Sequence, residues 1–297
     1  MQVIVLLGIV AAWSMSDSEV AEHLAPAGWW TPLALAAYLA AVAAVGRLHV
    51  AAAGRAFGAA APRSARRRAA LAASAEKLCL LGGFAGLLSV GGLQWMMAPL
   101  AGWPLVGKLA LLAPFMAALL VMWLNHYSLH RRMKLRAAAA APDQPPPATW
   151  TRGQFLAFNV RTHLLMILVP VSLIMLANDL LLMARPRLPE SVADELIAAG
   201  VVLSAALVFL LAPMMIVHIW RTAPMEDCPL LSKLKATCRR LSLRYRRILI
   251  WRSGGVLVNA GVMGLIPQVR YILLSDGLVE QMPLQQIEAV FATKPPT

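Results

Sequence analysis

The sequence predicts a multi-span α-helical membrane protein, five spans plus a short N-terminal one, followed by a small cytoplasmic α+β region. Three observations predict it. The 297 residues are 60% hydrophobic and only 14% charged, with a mean hydropathy of +0.67, against ~45–50% apolar content in ordinary soluble domains. Apolar runs of span length recur as far as residue 218. Cationic side chains gather between alternate runs and β-rich segments follow the last one. A water-soluble globule is thereby excluded as the sole architecture.

The opening run, Gln2 to Trp13, is too short for an untilted span, and the acids that follow it (Asp17, Glu19, Glu22) do not resemble a cleavage site. It reads as a marginal first span or an interfacial helix. Stretches near 33–53, 79–101, 104–124 and 164–184 are long and apolar enough to cross a bilayer, and a fifth runs over 196–218. The Ala/Pro-rich piece 137–148 reads as a semi-rigid loop.

Orientation follows from the cations, because Lys and Arg resist translocation. Residues 46–78 carry seven, 130–161 six and 219–252 nine, whereas 15–31 and 97–103 carry none. The basic segments are therefore expected in the cytoplasm together with everything after Trp220, in an inner or plasma membrane. This topology accounts for the net charge of +13, so anionic headgroups rather than nucleic acid are the expected neighbours. Cys79, Cys228 and Cys238 lack C-x-x-C spacing and suggest neither a disulfide framework nor a zinc knuckle.

Polar residues at membrane depth need partners, since an ionisable side chain there costs at least ~2.5 kcal/mol. Asp179 lies near the outer end of one span and Lys108 near the outer end of an oppositely directed one. The two are expected to form a structural ion pair, joined by Gln94 and Asn178. His126, His130, His163 and His218 fall near cytoplasmic ends. His126 and His130 share a helix face, but Tyr127 stands where a zinc-protease helix needs Glu, so they read as interfacial residues.

Beyond residue 224 the texture changes. Leu231, Leu234, Cys238 and Leu241 recur at helical spacing, predicting an amphipathic helix docked on an apolar surface. The runs 248–251, 256–264 and 269–274 predict three strands, followed by a short helical piece after Asp276. Pro283 then opens a new helix with Leu284, Ile287 and Phe291 on one face.

The segment VNAGVMGLIPQVRYILLSDGLVEQMPLQQIEAVFA, with RTAPMEDCPLLSKL and RYRRILIW before it, closely resembles the membrane-bound zinc metalloproteases of the HtpX and CAAX-prenyl-protease type, metallopeptidase family forty-eight. The likeness covers about 220–292. The spans give a transmembrane region with basic cytoplasmic loops over 1–223, and the resemblance implies an incomplete zincin-like domain over 224–297. It also implies a cleft strand whose Asn259, Ala260 and Gly264 would bind substrate. The activity implied is zinc-dependent endoproteolysis of peptides or membrane proteins at the cytoplasmic face.

The departure matters as much. Where the family pattern calls for H-E-x-x-H, this chain has Thr293, Lys294, Pro295, Pro296 and Thr297. A threonine hydroxyl is a poor zinc ligand, an ammonium repels the dication, and paired prolines break the helix that must present both ligands. Zinc is thus the family's cofactor, but this chain is expected to bind none, to catalyse nothing, and to be a truncated form of a protease. The alternative is a pseudoprotease that binds or scaffolds a membrane partner, and the DNA beyond codon 297 discriminates the two. The stripe 284–291 would leave a truncated soluble part unstable.

Overall fold

The computed structural model describes residues 1–14, 30–57, 62–89, 93, 100, 103, 105–140 and 148–282. Five helical segments in it are long and apolar enough to cross a membrane: Thr31–Ala56, Arg63–Ser89, Val106–Arg136, Arg152–Arg187 and Ala193–Ile219. The chain divides into two compact units, Met1–Pro145 with Thr151–Ala184, and Pro146–Trp150 with Arg185–Thr297.

The first unit begins with α1 (Gln2–Ser14), about 20 Å long at ~1.5 Å per residue and so shorter than a bilayer core. One face of it is packed into the unit. Val5, Ile9 and Ala12 are buried, and Gly8 lets it approach so closely that a Cβ there would lie 2.4 Å from the Phe115 ring. Next come α2 (Thr31–Ala56), α3 (Arg63–Ser89) and α4 (Val106–Ala140). On α2 the buried residues Tyr38, Val42, Gly46 and Val50 recur every fourth position, and on α3 Glu76, Leu80 and Phe84 do the same. These stripes pack α2, α3 and α4 together.

Two boundaries correct the sequence reading. Helix α3 starts at Arg63, not near residue 79, because Arg, Ala, Lys and Leu are strong helix formers and extend the helix past its apolar part. For the same reason α4 continues through the basic residues Arg131–Arg136 to Ala140, into the predicted loop. Thr151 and Gln154 then form a reciprocal capping box that starts α5 (Arg152–Asn159). A π-helical turn over Val160–Leu165 leads into α6 (Met166–Ala184).

The second unit opens with α7 (Ala193–Ile219). Val202, Leu203 and Phe209 on it are 70%, 71% and 68% exposed, a surface suited to lipid rather than water. A four-stranded sheet follows in the order β1-β2-β4-β3: β1 (Thr222–Pro224), β2 (Arg247–Trp251), β3 (Ala260–Met263) and β4 (Tyr271–Ser275). Strands β2 and β4 run parallel, and β1 and β3 are antiparallel additions.

Between β1 and β2 lies α8 (Pro229–Arg240), the expected amphipathic helix. Its Leu230, Leu231, Leu234 and Cys238 cover Ile248, Ala260, Ile272 and Leu274 on one sheet face, with Leu278 of α9 (Asp276–Gln281). Leu249, Tyr271 and Leu273 pack the other face against Met214, Val217 and Trp220 from the end of α7. Both faces are covered, so every residue of β4 is buried. Strand β1 escaped the sequence reading because three residues ending in Pro224 carry no periodicity; at a sheet edge its proline is tolerated. The predicted strand 256–264 shortens to Ala260–Met263, since the preceding residues are drawn into a loop around Asp276.

Candidate functional site

Helices α2, α3 and α4 each contribute one side chain to a polar cluster in the first unit. Glu76 is 2% exposed, and its Oε2 lies 2.5 Å from His49 Nδ1 and 2.9 Å from His126 Nε2. The two imidazoles meet edge to face with centroids 5.1 Å apart. All three potential ligand atoms fall within 4.8 Å of one another. Glu76 Oε1 is buried with no hydrogen-bond partner among the described residues. Gly46 on α2 leaves it room, for a Cβ there would sit 2.9 Å from Oε1 and 2.7 Å from Asn125 Nδ2.

The sequence reading singled out His126 but neither partner. His49 lies near the end of the span read over 33–53, and Glu76 in the basic segment that follows it, which was read for its cations alone. The overlooked signal is that Glu76 is the sole acid among seven cations over 46–78 and falls four residues before Leu80, in step with the buried stripe. His130 does not join His126; it packs on Phe155 with centroids 5.2 Å apart. His163 lies 6.5 Å from the Trp123 ring, and His218 meets the Met214 carbonyl at 2.7 Å.

Lys108 and Asp179 are brought together as an ion pair, their side chains 17% and 15% exposed. The remaining Asp179 oxygen accepts the Leu105 N–H at 2.9 Å, and the Lys108 ammonium stands 5.9 Å over the Trp13 ring. The backbone and an aromatic ring thus complete the pair, and Gln94 lies outside the described residues.

In the second unit Asn259, Ala260 and Gly264 sit on or beside β3. Asn259 is braced through its backbone: its N–H donates to Ser275 Oγ at 2.8 Å and its carbonyl accepts from Ser275 N–H at 2.9 Å. Ala260 is buried under α8. Gly264 is required by geometry, with φ +116 and a would-be Cβ only 2.3 Å from the Val269 carbonyl oxygen.

The loop preceding β3 is organised by Asp276. Its carboxylate accepts from the Ser253 hydroxyl at 2.5 Å, the Gly254 N–H at 2.7 Å and the Gly277 N–H at 2.9 Å. Burial opposes its ionisation, but these hydrogen bonds prevail and hold the carboxyl below its ordinary range. Gly254 and Gly255 supply φ values of +74 and +73 to turn the loop.

Strand β3 is an edge of the sheet among the described residues. Asn259 and Ser275 form a hydrogen-bonded pair, so antiparallel alternation directs the Val262 N–H and C=O to the outer side. Val262 is 38% exposed and Leu265 80%. As for the zinc that the resemblance implies, the positions of its motif hold Thr293, Lys294 and Thr297, a donor set that does not fit the ion; they and the stripe Leu284, Ile287 and Phe291 lie outside the described residues. No family model, curated protein or solved structure matches the chain, so geometry and residue chemistry carry the functional reading.

Proposed function

We propose that this chain is an integral-membrane protein of the zinc-metalloendopeptidase type that holds an extended peptide, or a stretch of a membrane protein, against β3 at the cytoplasmic face without hydrolysing it. The observation that carries this reading is the edge strand Ala260–Met263 with Val262 directed outward. An open edge can accept an added strand through backbone hydrogen bonds, which is the way peptidases present a scissile chain. The exposed apolar side chains Val258, Val262, Leu265 and Ile266 would contact alternate residues of such a peptide. Hydrolysis is left out because Thr293, Lys294 and Thr297 stand at the positions of the zinc motif and do not fit the ion. The cytoplasmic side is argued from the nine cations over 219–252, and the bilayer as partner from the apolar surface of α7. Nucleic acid has no place in this reading.

The test is photo-crosslinking from the full chain in lipid nanodiscs to a fluorescent, extended apolar peptide. A benzophenone side chain at Val262 captures the peptide, whereas the same group at lipid-facing Val202 does not. Equal capture from both positions, or none from Val262, contradicts the reading. Cleavage of the peptide that a chelator abolishes contradicts its non-hydrolytic part.

A further inference from the structure

We propose that His49, Glu76 and His126 form a binding site for one divalent transition-metal ion of the zinc type, independent of the peptide edge. A carboxylate as buried as Glu76 needs compensation. Among the described residues it receives it from two imidazoles on two other helices, each aiming a ring nitrogen at the same oxygen. A tetrahedral ion with ligands ~2.0–2.1 Å away would set those atoms roughly 3.3 Å apart, so His49 Nδ1 and His126 Nε2, now 2.5 and 2.9 Å from Oε2, need move by less than ~1 Å to admit it.

The unpartnered Oε1 of Glu76 supplies the second observation. It is a buried acceptor beside the cluster, in space that Gly46 keeps open, and a carboxylate that grips a cation with both oxygens would use it. The charge balance also fits, since two neutral imidazoles and one carboxylate leave a dication with a single net positive charge. Nitrogen donors select the zinc class over calcium or magnesium, which prefer all-oxygen shells. Bound there, the ion would tie α2, α3 and α4 together. This replaces the expectation that the chain retains no zinc, and it exchanges His130 for His49 and Glu76 as the companions of His126.

The experiment uses the full chain in detergent, stripped with chelator and dialysed against Co²⁺ or Zn²⁺. One ion per chain is expected, with Co²⁺ giving the visible d–d bands of a tetrahedral nitrogen/oxygen site. Removing a ligand costs more than disturbing its supporting shell, so Glu76→Gln and His49→Gln each weaken binding by at least about tenfold. His130→Gln and His163→Gln leave it unchanged. If Glu76→Gln fails to fold, His49→Gln decides, its parent side chain lying nearer the surface at 18% exposed. No bound ion in the wild-type chain, or wild-type affinity in the His49 variant, overturns the proposal. Crosslinking at Val262 reads the peptide edge separately, so either idea can fail without the other.

Discussion

The two units satisfy a carboxylate in different ways, Glu76 being buried and Asp276 partly buried. In the helical unit the backbone N–H groups are consumed by the helices themselves, so Glu76 must recruit side chains 27 and 50 residues distant in sequence. In the sheet unit Asp276 is met by the Ser253 hydroxyl and by backbone amides, Gly254 from the preceding loop and Gly277 from its own helix. The helix bundle therefore satisfies its charge through side chains alone, whereas the sheet unit does so largely through backbone amides of a glycine-bearing turn and a helix start. The helical unit should tolerate changes of backbone freedom and suffer from lost partners; the sheet unit should show the reverse.

The largest effect is expected at Gly264. Alanine there meets both an unfavourable φ and the Val269 carbonyl, and the combined strain and overpacking amount to about 3–5 kcal/mol. Limited proteolysis should cut 220–282 of Gly264→Ala far faster than wild type, while Gly54→Ala, which meets nothing within 4 Å, leaves the helical unit unchanged.

Next in size is Asp179→Leu. Leaving the Lys108 ammonium without its counter-ion costs about 3 kcal/mol, the lower end for a buried pair because both side chains retain some exposure. Thermal unfolding in detergent should register the loss, and adding Lys108→Met should recover at least half of it. No recovery would mean that the pair is incidental.

That pair was legible in the sequence because each partner stands alone in an apolar run and at matching depth. Glu76 was not, because an Ala/Arg-rich stretch such as 63–78 serves equally as loop or helix until tertiary packing decides, and without Glu76 nothing marks His49 as its partner. The spans and the α8 stripe Leu231, Leu234 and Cys238 were readable from periodicity alone. The loop before β3 was misread as strand since Val256, Leu257 and Val258 have β character, and only Asp276, some twenty residues later, explains why they do not pair. Asn259 and Gly264 stand out in the sequence as motif residues; the structure gives each a backbone role, which a motif match leaves unspecified.

A smaller effect is expected at Asp276. Its carboxyl is held below the ordinary range when folded, so its contribution is complete above the unfolded value near ~3.9 and disappears as pH falls through the lower folded value. Asp276→Asn should cost about 1–3 kcal/mol at neutral pH and flatten the acid limb of the sheet unit's stability, followed by tryptophan fluorescence from the stacked Trp220–Trp251 pair. The smallest effect is kinetic. Cys238 is buried and its thiol pKa is pushed up by that burial, so maleimide should label it only after the sheet unit opens.

The functional reading is tested most directly by hydrogen exchange at the Val262 amide, with the full chain in nanodiscs and an extended apolar peptide added. The amide should exchange readily in the free protein and become protected with peptide bound, while those of β4 stay protected throughout. An unchanged rate at Val262 under saturating peptide would contradict capture on the β3 edge.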